Sequence, residues 1–440
     1  MGKTNISIEN ESFLINGKLT YSEINTSKPQ AHGLLMNARF IQGIFDDQAD
    51  PGRFARWGHS EWNAEANTQA LVDALPQWHG YGLRAFTVGF QGGGPCFTVS
   101  NDTIDNNPFG KDGTELDLAY TERMDTLIRG ADEQGMAVIV SYFYGAQARR
   151  LKDGRAVRNA VIGASKFLHE GGYTNVLIEV ANEMNIGAFK EHPIIREPEG
   201  MASLIDLARE ASGGMAVGCS GGGGYRNREV AEASDYILIH GNGQTRQRYY
   251  AMIQEIKGWE QNKPIVCNED SPALGNMGVV FKTHTSWGYY NNMTKQEPPA
   301  NWGVTKGEDT FFAQRMAEGI GIEVPELSKE DQYYLQGLEL NWSYDGQRWI
   351  RLASRHPESI SYVDFYRNNC TTPRMTSRSP SISAVTGDMT ALRSGAMIRN
   401  GRLSSTWGTA RCLNEQLTKY AIQGVIKHPL AQYQSTFIHT

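Results

Sequence analysis

Residues 136–181 read MAVIVSYFYGAQARRLKDGRAVRNAVIGASKFLHEGGYTNVLIEVA, and they predict a strand, a helix and a second strand in succession. MAVIVSYF (136–143) and NVLIEVA (175–181) are short apolar runs rich in β-branched residues, which is typical of strands buried on both faces. The segment between them is amphipathic, with one helical face formed by Val157, Val161, Ala164 and Leu168. Two buried strands joined by a covering helix form a parallel βαβ unit.

The same alternation recurs along most of the chain and yields eight candidate strands. The other six are GLLMNAR (33–39), LRAFTVGF (83–90), MAVGCS (215–220), DYILIH (235–240), PIVCN (264–268) and YYLQGLELNW (333–342). A second amphipathic segment, residues 115–135, places on one face Met124, Leu127, Ile128 and Ala131. Eight such units are the number that closes a (β/α)8 barrel, whose active site lies at the carboxyl ends of its strands.

The predicted fold is therefore α/β, a (β/α)8 TIM barrel with additions at both ends. SFLINGKLTY (12–21) predicts a short N-terminal β-hairpin around an Asn-Gly turn. Residues 370–440 are rich in Ser, Thr, Arg and Asn, which favours an irregular C-terminal appendage. We expect a catalytic domain over 1–369, including the hairpin, and an extension over 370–440.

Composition and charge narrow the classes of partner. The 440 residues are 40% hydrophobic, and the net charge of −6 is spread along the chain without a basic block, which disfavours nucleic acid. No 18-residue apolar run or N-terminal secretory signal is present, so no membrane partner is expected. The five cysteines contain no CxxC pair, which favours free thiols. A small or neutral ligand fits best, we assign no cofactor and no metal, and the oligomeric state is left open.

Polar residues cluster at the ends of the predicted strands. They are Asn37, Arg39, Gln91, Tyr142, Tyr144, Asn182, Glu183, Ser220, His240, Asn268, Glu269, Asn341 and Trp342. Glu183 ends the fourth strand and Glu269 the seventh, each directly after an asparagine, and these strands face each other across a barrel mouth. Either glutamate alone fits a structural ion pair. Two carboxylates that face each other are what cleavage of a glycosidic bond requires, so their joint placement favours that chemistry.

On these residues the chain resembles the clan A glycoside hydrolases and is most similar to the cellulase-like barrels around family 5. The motifs are Asn182-Glu183, His240, Glu269 and Trp342, within a barrel pattern over residues 33–355. The resemblance implies a retaining O-glycosidase of carbohydrate metabolism or polysaccharide degradation, with Glu183 as acid and base and Glu269 as nucleophile. It also implies that Asn182 binds the sugar 2-hydroxyl, that His240 shapes the pocket, and that Trp342 forms its floor.

The chain departs from family 5 at three positions. Met184 stands where proline often follows the acid/base, Asn242 stands where an aromatic residue is common, and Arg84 lies near the start of the second strand instead of its end. The exact family is therefore left open. The resemblance also implies an extracytoplasmic location with a removed signal, and an oligosaccharide, polysaccharide or glycoside as substrate.

Two expectations follow for the glutamates. Their carboxyl groups should lie about 5 to 5.5 Å apart, the retaining separation, and not about 6.5 to 9.5 Å. Glu183 must hold a proton, so we expect apolar surroundings and the charge of Glu269 to raise its pKa.

Further candidates for contacts with a substrate come from the loops. The segment HTSWGYYNNMTKQEPPANWG (284–303) lacks helical or strand periodicity and contains several aromatic residues, which fits either sugar stacking or a self-packed loop. The candidates are Trp287, Trp302, Gln91, Tyr142, Tyr144, Asn37 and Arg39.

Two alternative functions stand beside the glycosidase. Gly218-Cys219-Ser220-Gly221-Gly222 matches the G-x-S-x-G nucleophile elbow of α/β-hydrolase esterases, for which Asp270 and His284 would complete a triad. Glycines occupy 221–224, however, and they disfavour the helix that an elbow requires. The other alternative is a non-catalytic carbohydrate-binding barrel.

Overall fold

The computed structural model describes most of the chain up to residue 367. The described ranges are 2–54, 61–96, 98–270, 274–337, 347–360 and 362–367, followed by 370–371, 375–376, 383–387, 399–400 and 422–426. The strands are β1 (Ile6–Glu9), β2 (Ser12–Ile15), β3 (Lys18–Leu19), β4 (Asn37–Arg39), β5 (Ala85–Gly89), β6 (Ala137–Phe143), β7 (Val176–Ala181), β8 (Val217–Gly218), β9 (Ile237–His240), β10 (Ile265–Glu269), β11 (Gly288–Tyr289), β12 (Tyr333–Gln336), β13 (Gln347–Ser354), β14 (Tyr362–Arg367), β15 (Cys370–Thr371), β16 (Met375–Thr376), β17 (Ser383–Gly387), β18 (Arg399–Asn400) and β19 (Ile422–Ile426).

Helices alternate with these strands through the first three quarters of the chain. They are α1 (Ala64–Gly80), α2 (Leu118–Glu133), α3 (Gly145–Ala148), α4 (Gly154–Glu170), α5 (Pro193–Arg196), α6 (Pro198–Ala211), α7 (Arg228–Ala233), α8 (Arg246–Lys257), α9 (Met277–Thr283), α10 (Asn292–Lys295) and α11 (Glu308–Ile320). Within the described ranges, no helix combines the length and the apolar character needed to cross a membrane.

The helix α4 shows how the sequence builds one unit. Asp153 caps its first turn by accepting a hydrogen bond from the backbone N–H of Ala156, and Gly171 follows its last residue. The predicted apolar face is buried, including Val157, Val161 and Leu168. Burial of each such side chain is worth about 1.5–3 kcal/mol relative to exposure. The face predicted for α2 is buried as well.

The eight strands of the barrel are β4 to β11, and the ladders between them are parallel. A continuous ladder joins six of them in the order β11-β4-β5-β6-β7-β8, and β9 pairs with β10. Isolated parallel bridges connect β10 to β11 at Val266–Ser286 and Asp270–Tyr289. Between β8 and β9, the N–H of Asp235 donates to the carbonyl oxygen of Val217 (2.8 Å), without a paired ladder. The α/β prediction with parallel barrel strands is confirmed.

The eighth barrel strand lies in a different part of the chain from the one predicted. β11 at residues 288–289 occupies the position between β10 and β4, whereas β12, within the predicted strand 333–342, pairs antiparallel with β13 outside the barrel. Because β11 has only two residues, the sequence contains no apolar run that would predict it. Residues 338–346, which include the predicted floor residue Trp342, lie outside the described residues.

The barrel interior has its own apolar cluster, separate from the layer beneath the helices. Side chains from β5, β6, β7, β9 and β10 meet there, including Ile139, Leu177, Leu238 and Val266. Phe13 of the N-terminal hairpin joins this cluster and lies edge-on to Tyr236, with ring centroids 6.3 Å apart. The hairpin turns at Asn16-Gly17 as predicted and closes the end of the barrel opposite the strand carboxyl ends.

The described strands after residue 330 form antiparallel pairs, except that β18 pairs parallel with β19. β13 pairs with β12 and β17, and β14 pairs with β15, β16 and β19. The division into 1–369 and 370–440 stays a prediction.

Candidate active site

Glu269 lies at the end of β10 and is held by two side chains. Arg39, at the end of β4, places its Nε 2.7 Å from Oε2 of Glu269, and the Asn242 amide donates to Oε1. The register of β10 against β9 shifts between Cys267 and Glu269. Because successive strand residues otherwise face opposite sides, this bulge allows both Asn268 and Glu269 to point into the barrel.

Glu183 follows β7 in an unusual backbone conformation. Its φ is +56°, in the left-handed region, which costs a non-glycine residue about 1–3 kcal/mol. Ser220 supports this turn, since its Oγ accepts the backbone N–H of Glu183 (3.1 Å) and its hydroxyl reaches the carbonyl oxygen of Ala181 (3.4 Å). The carboxylate of Glu183 is thereby directed toward β9. Its side chain is 20% exposed, compared with 9% for Glu269.

His240, at the end of β9, lies between the two glutamates. Its Nδ1 is 3.1 Å from Oε1 of Glu183 and 3.8 Å from Oε2 of Glu269. An ionised carboxylate only accepts hydrogen bonds, so when Glu183 is ionised Nδ1 is the donor of this contact. One oxygen of each glutamate and this nitrogen lie within 4.8 Å of one another. Glu183, Glu269, His240 and Arg39, all predicted as site residues, thus form one cluster.

The charges in this cluster depart from the expectation for Glu183. Burial of its carboxyl raises the pKa, but the hydrogen bond and charge of His240, together with Arg39, outweigh burial and lower it. The pKa of His240 is raised, because the two carboxylates outweigh its burial. The expectation of a raised Glu183 pKa is therefore wrong: the pKa of Glu183 is lowered and that of His240 is raised, which favours the proton on the histidine.

The same three residues are near enough to be considered as metal ligands. Both oxygens of Glu269 already have partners, Arg39 and Asn242, and Arg39 supplies a positive charge at the position a cation would take. The arrangement fits a histidine proton held near two carboxylates better than the binding of a metal ion.

A wall of the site is formed by Tyr144, which follows β6. Its ring packs over Gly93, where an added Cβ would lie 2.7 Å from the ring. Its backbone N–H donates to Oε1 of Gln91 (3.0 Å), and Gln91 in turn donates to Asn107 (2.7 Å). Gln91 is buried and positions Tyr144, and its contact with substrate stays a prediction.

The site also contains Asn242, Tyr290 and Cys96, of which the sequence singled out only Tyr290, as a ring of the aromatic loop. Asn242 binds Glu269 although the resemblance favoured an aromatic residue there. The ring of Tyr290 lies 6.0 Å from the Arg39 guanidinium, and its hydroxyl contacts the Cys96 sulfur (3.3 Å). Tyr290 belongs to the aromatic loop that the sequence singled out, but nothing in the loop pattern distinguishes it from the neighbouring rings.

Several predicted substrate contacts are buried in the fold. Trp287 donates from Nε1 to Asp270 (3.0 Å) and packs on Phe312 of α11, and Trp302 donates to Asn67. The Tyr142 hydroxyl contacts Ser165 of α4 (2.9 Å), outside the barrel wall. Asn37 donates to the carbonyl oxygens of Leu35 and Cys267 in the barrel interior. These four side chains are held by contacts within the fold, and their contact with substrate stays a prediction. Asn182 is also buried, at 3% exposure, directly beside Glu183.

The proposed esterase triad is not assembled. The Ser220 hydroxyl serves the backbone of Ala181 and Glu183, His284 contacts Ser12 (3.1 Å), and Asp270 accepts from Asn276 and Trp287. The glycine run 221–224 has a packing reason: a Cβ at Gly223 would lie 2.1 Å from the carbonyl oxygen of Asn242. The small residue lets Asn242 lie where it reaches Glu269.

We expect Ser220→Ala to weaken the turn that carries Glu183. The Glu183 N–H would lose its acceptor, at a cost of about 1–3 kcal/mol in the free energy of unfolding, and glycoside turnover would fall with it. Urea denaturation and turnover of an aryl glycoside check this. Ser165→Ala, which removes a buried hydroxyl contact from Tyr142, should lower stability without lowering turnover. Ester hydrolysis that disappears in Ser220→Ala would instead support the esterase.

Asp270 predicts a pH dependence of stability. Burial raises its pKa to about 8, although Asn276 and Trp287 donate to the carboxyl. The native protein then holds a proton that the unfolded chain releases near pH 4, so the free energy of unfolding should fall between about pH 4 and pH 8. Asp270→Asn has no such proton, and its melting temperature relative to the wild type should rise with pH, by several degrees at pH 9. An identical pH profile for both proteins would contradict the assignment.

Comparisons with known proteins give structural likenesses at low identity. No family model matches the chain, and no curated protein matches its sequence significantly. Among solved structures, an FMN-binding β-glucuronidase from Facaelibacterium prausnitzii L2-6 is 12% identical (TM-score 0.45) over 89% of this chain and 56% of its own. An endo-1,4-β-mannanase from Rhizomucor miehei is 9% identical (TM-score 0.47), and the match covers 72% of this chain and 99% of the mannanase. An endo-β-1,4-mannanase from Thermotoga petrophila is 11% identical (TM-score 0.43), and the match covers 77% of this chain and 87% of that mannanase. The chain thus spans little more than half the length of the glucuronidase.

Proposed function

We propose that this protein is a retaining glycoside hydrolase in which Glu269 is the nucleophile and Glu183 the general acid and base. The observation that carries the proposal is the pair of carboxylates from strands across the barrel, with one oxygen of each within 4.8 Å of the other. Oxygens this near to each other favour the close, retaining arrangement of about 5 to 5.5 Å between carboxyl groups over the wider inverting one.

The surroundings of the two glutamates support their different roles. Glu269 is bound on both oxygens, by Arg39 and Asn242, which favours a carboxylate that stays ionised until it attacks. Glu183 is more exposed and has its hydrogen bond from His240 on one oxygen, Oε1. An acid and base must reach both a leaving oxygen and a water molecule, and Glu183 is the more accessible of the two.

In the first step, Glu269 attacks the anomeric carbon while the glycosidic C–O bond breaks and Glu183 gives a proton to the leaving oxygen. Because that proton rests on His240 in the free protein, it must pass along the 3.1 Å contact from Nδ1 to Glu183 before or during bond cleavage. In the second step, Glu183 takes a proton from water, and the hydroxide displaces Glu269 from the sugar. A Glu183 that is readily ionised suits this second step.

The substrate class is an O-glycoside, whether an oligosaccharide, a polysaccharide or a simple glycoside. Aryl glycosides and aryl esters, assayed side by side, test the proposal. We expect release of the aryl alcohol from at least one glycoside and from no ester. Ester turnover without glycoside turnover would support an esterase, and binding of glycans without any turnover would support a non-catalytic barrel.

A further inference from the structure

A third carboxylate lies beneath the two catalytic ones. Glu179, on β7 four residues before Glu183, is fully buried in the barrel interior. Its Oε1 accepts a hydrogen bond from Asn268 (3.0 Å), the residue directly before Glu269, and its Oε2 has no hydrogen-bond partner in the described part of the chain. A buried carboxylate with a single neutral donor is costly, so its retention calls for a reason.

Arg39 interacts electrostatically with this carboxylate as well as with the active site. Its Nε binds Glu269, while Nη1 and Nη2 are buried and lack hydrogen-bond partners among the described residues. Burial of the guanidinium lowers its pKa, but the charges of Glu269 and Glu179 outweigh burial and raise it. The charge of Arg39 is thus stabilised by both Glu269 and Glu179.

The other titratable groups around these residues are neutral near pH 7. Burial, reinforced by Glu179, raises the pKa of Cys219 and of Tyr236. Burial also raises the pKa of Tyr144 and Tyr290, and that of Asp270 to about 8. Three carboxyl groups, Glu179, Glu183 and Glu269, therefore stand against two basic groups, Arg39 and His240. The excess negative charge attracts one more proton.

We propose that Glu179 is a positioning residue that keeps a transferable proton on the Glu183–His240 pair, by supplying the third negative charge of this cluster. The inference rests on the proposed function for its catalytic meaning. Without Glu179, Arg39 and protonated His240 would balance Glu183 and Glu269, and the cluster would have no further demand for a proton. With it, the acid needed for the first step stays available to higher pH.

Glu179→Gln tests this with little change of shape, because the Gln carbonyl oxygen can still accept from Asn268. We expect the alkaline limb of the kcat/KM profile to move to lower pH by about one unit. The Nδ1 proton of His240, followed by ¹⁵N NMR of the full chain and assigned through His240→Gln, should be lost at correspondingly lower pH. Glu179→Asp, which keeps the charge, should retain the wild-type limb even if it unfolds more easily.

Ser141→Ala is the matched control, since Ser141 is buried on β6 in register with Glu179. It alters the same layer of the barrel without changing charge, and both pH midpoints should stay at their wild-type values. Wild-type midpoints in a folded Glu179→Gln would overturn the inference. Should no glycoside be turned over even by the wild type, the proposed function fails, and the His240 titration still decides whether Glu179 controls the proton.

Discussion

Glu269→Ala should abolish hydrolysis of every glycoside that the wild type cleaves, by about 10⁴-fold or more, because no covalent intermediate can form. The loss should be the same for good and poor leaving groups. Arg39, which binds Glu269 at 2.7 Å, would be left without that partner. Added azide can enter the space left by the carboxylate and attack the anomeric carbon directly. The product expected by NMR is therefore a glycosyl azide of inverted configuration.

Glu255→Ala is a suitable control, since it removes an exposed glutamate of α8 whose partner is the surface residue Arg226. It should leave turnover unchanged. A Glu269→Ala protein that folds and retains more than a small fraction of wild-type turnover would remove Glu269 from the mechanism.

Glu183→Ala should have an effect that depends on the leaving group. Glycosides with poor leaving groups need the proton and should lose about 10²–10⁴-fold in kcat/KM, whereas activated aryl glycosides should still form the glycosyl-enzyme. Hydrolysis of that intermediate would be slow, because the general base is missing. Azide needs no base and should partly restore turnover, giving a glycosyl azide of retained configuration.

The two azide products separate the roles of the glutamates. If Glu183→Ala gives the inverted azide and Glu269→Ala the retained one, their roles are reversed. Glu232→Ala, which changes an exposed residue of α7, serves as the control and should show no dependence on the leaving group.

The barrel could be predicted because most of its strands have a recognisable local sequence pattern. The runs around β6 and β7 are apolar on both faces, and a helix with one buried face separates them, so the periodicity alone identifies the unit. β11 could not be found this way. Its two residues, Gly288 and Tyr289, follow a tryptophan that is buried against α11, and their place in the ring depends on bridges to β4 and β10.

The catalytic candidates could be predicted because strand ends meet at one face of a barrel, which brings Arg39, Glu183, His240 and Glu269 together from distant parts of the chain. Whether a side chain points into the site or into the fold is harder to predict from the sequence. Trp287 and Trp302 lie in sequence that fits a sugar-stacking loop, yet both are buried by contacts with Asp270 and Asn67.

The sequence predicts a raised pKa for Glu183, whereas the structure lowers it, for a related reason. The sequence shows the second carboxylate, which would raise that pKa, but the opposing effect comes from the position of one nitrogen of His240. Such a balance depends on distances of 3 to 4 Å between residues 57 positions apart, which no local pattern encodes.

The anomeric configuration of the first product released by the wild-type protein tests the central claim most directly. An aryl glycoside that the protein cleaves is followed by ¹H NMR before mutarotation scrambles the anomers. Two displacements through Glu269 predict that the first-formed sugar has the same anomeric configuration as the substrate. A first-formed sugar of inverted configuration would contradict the account.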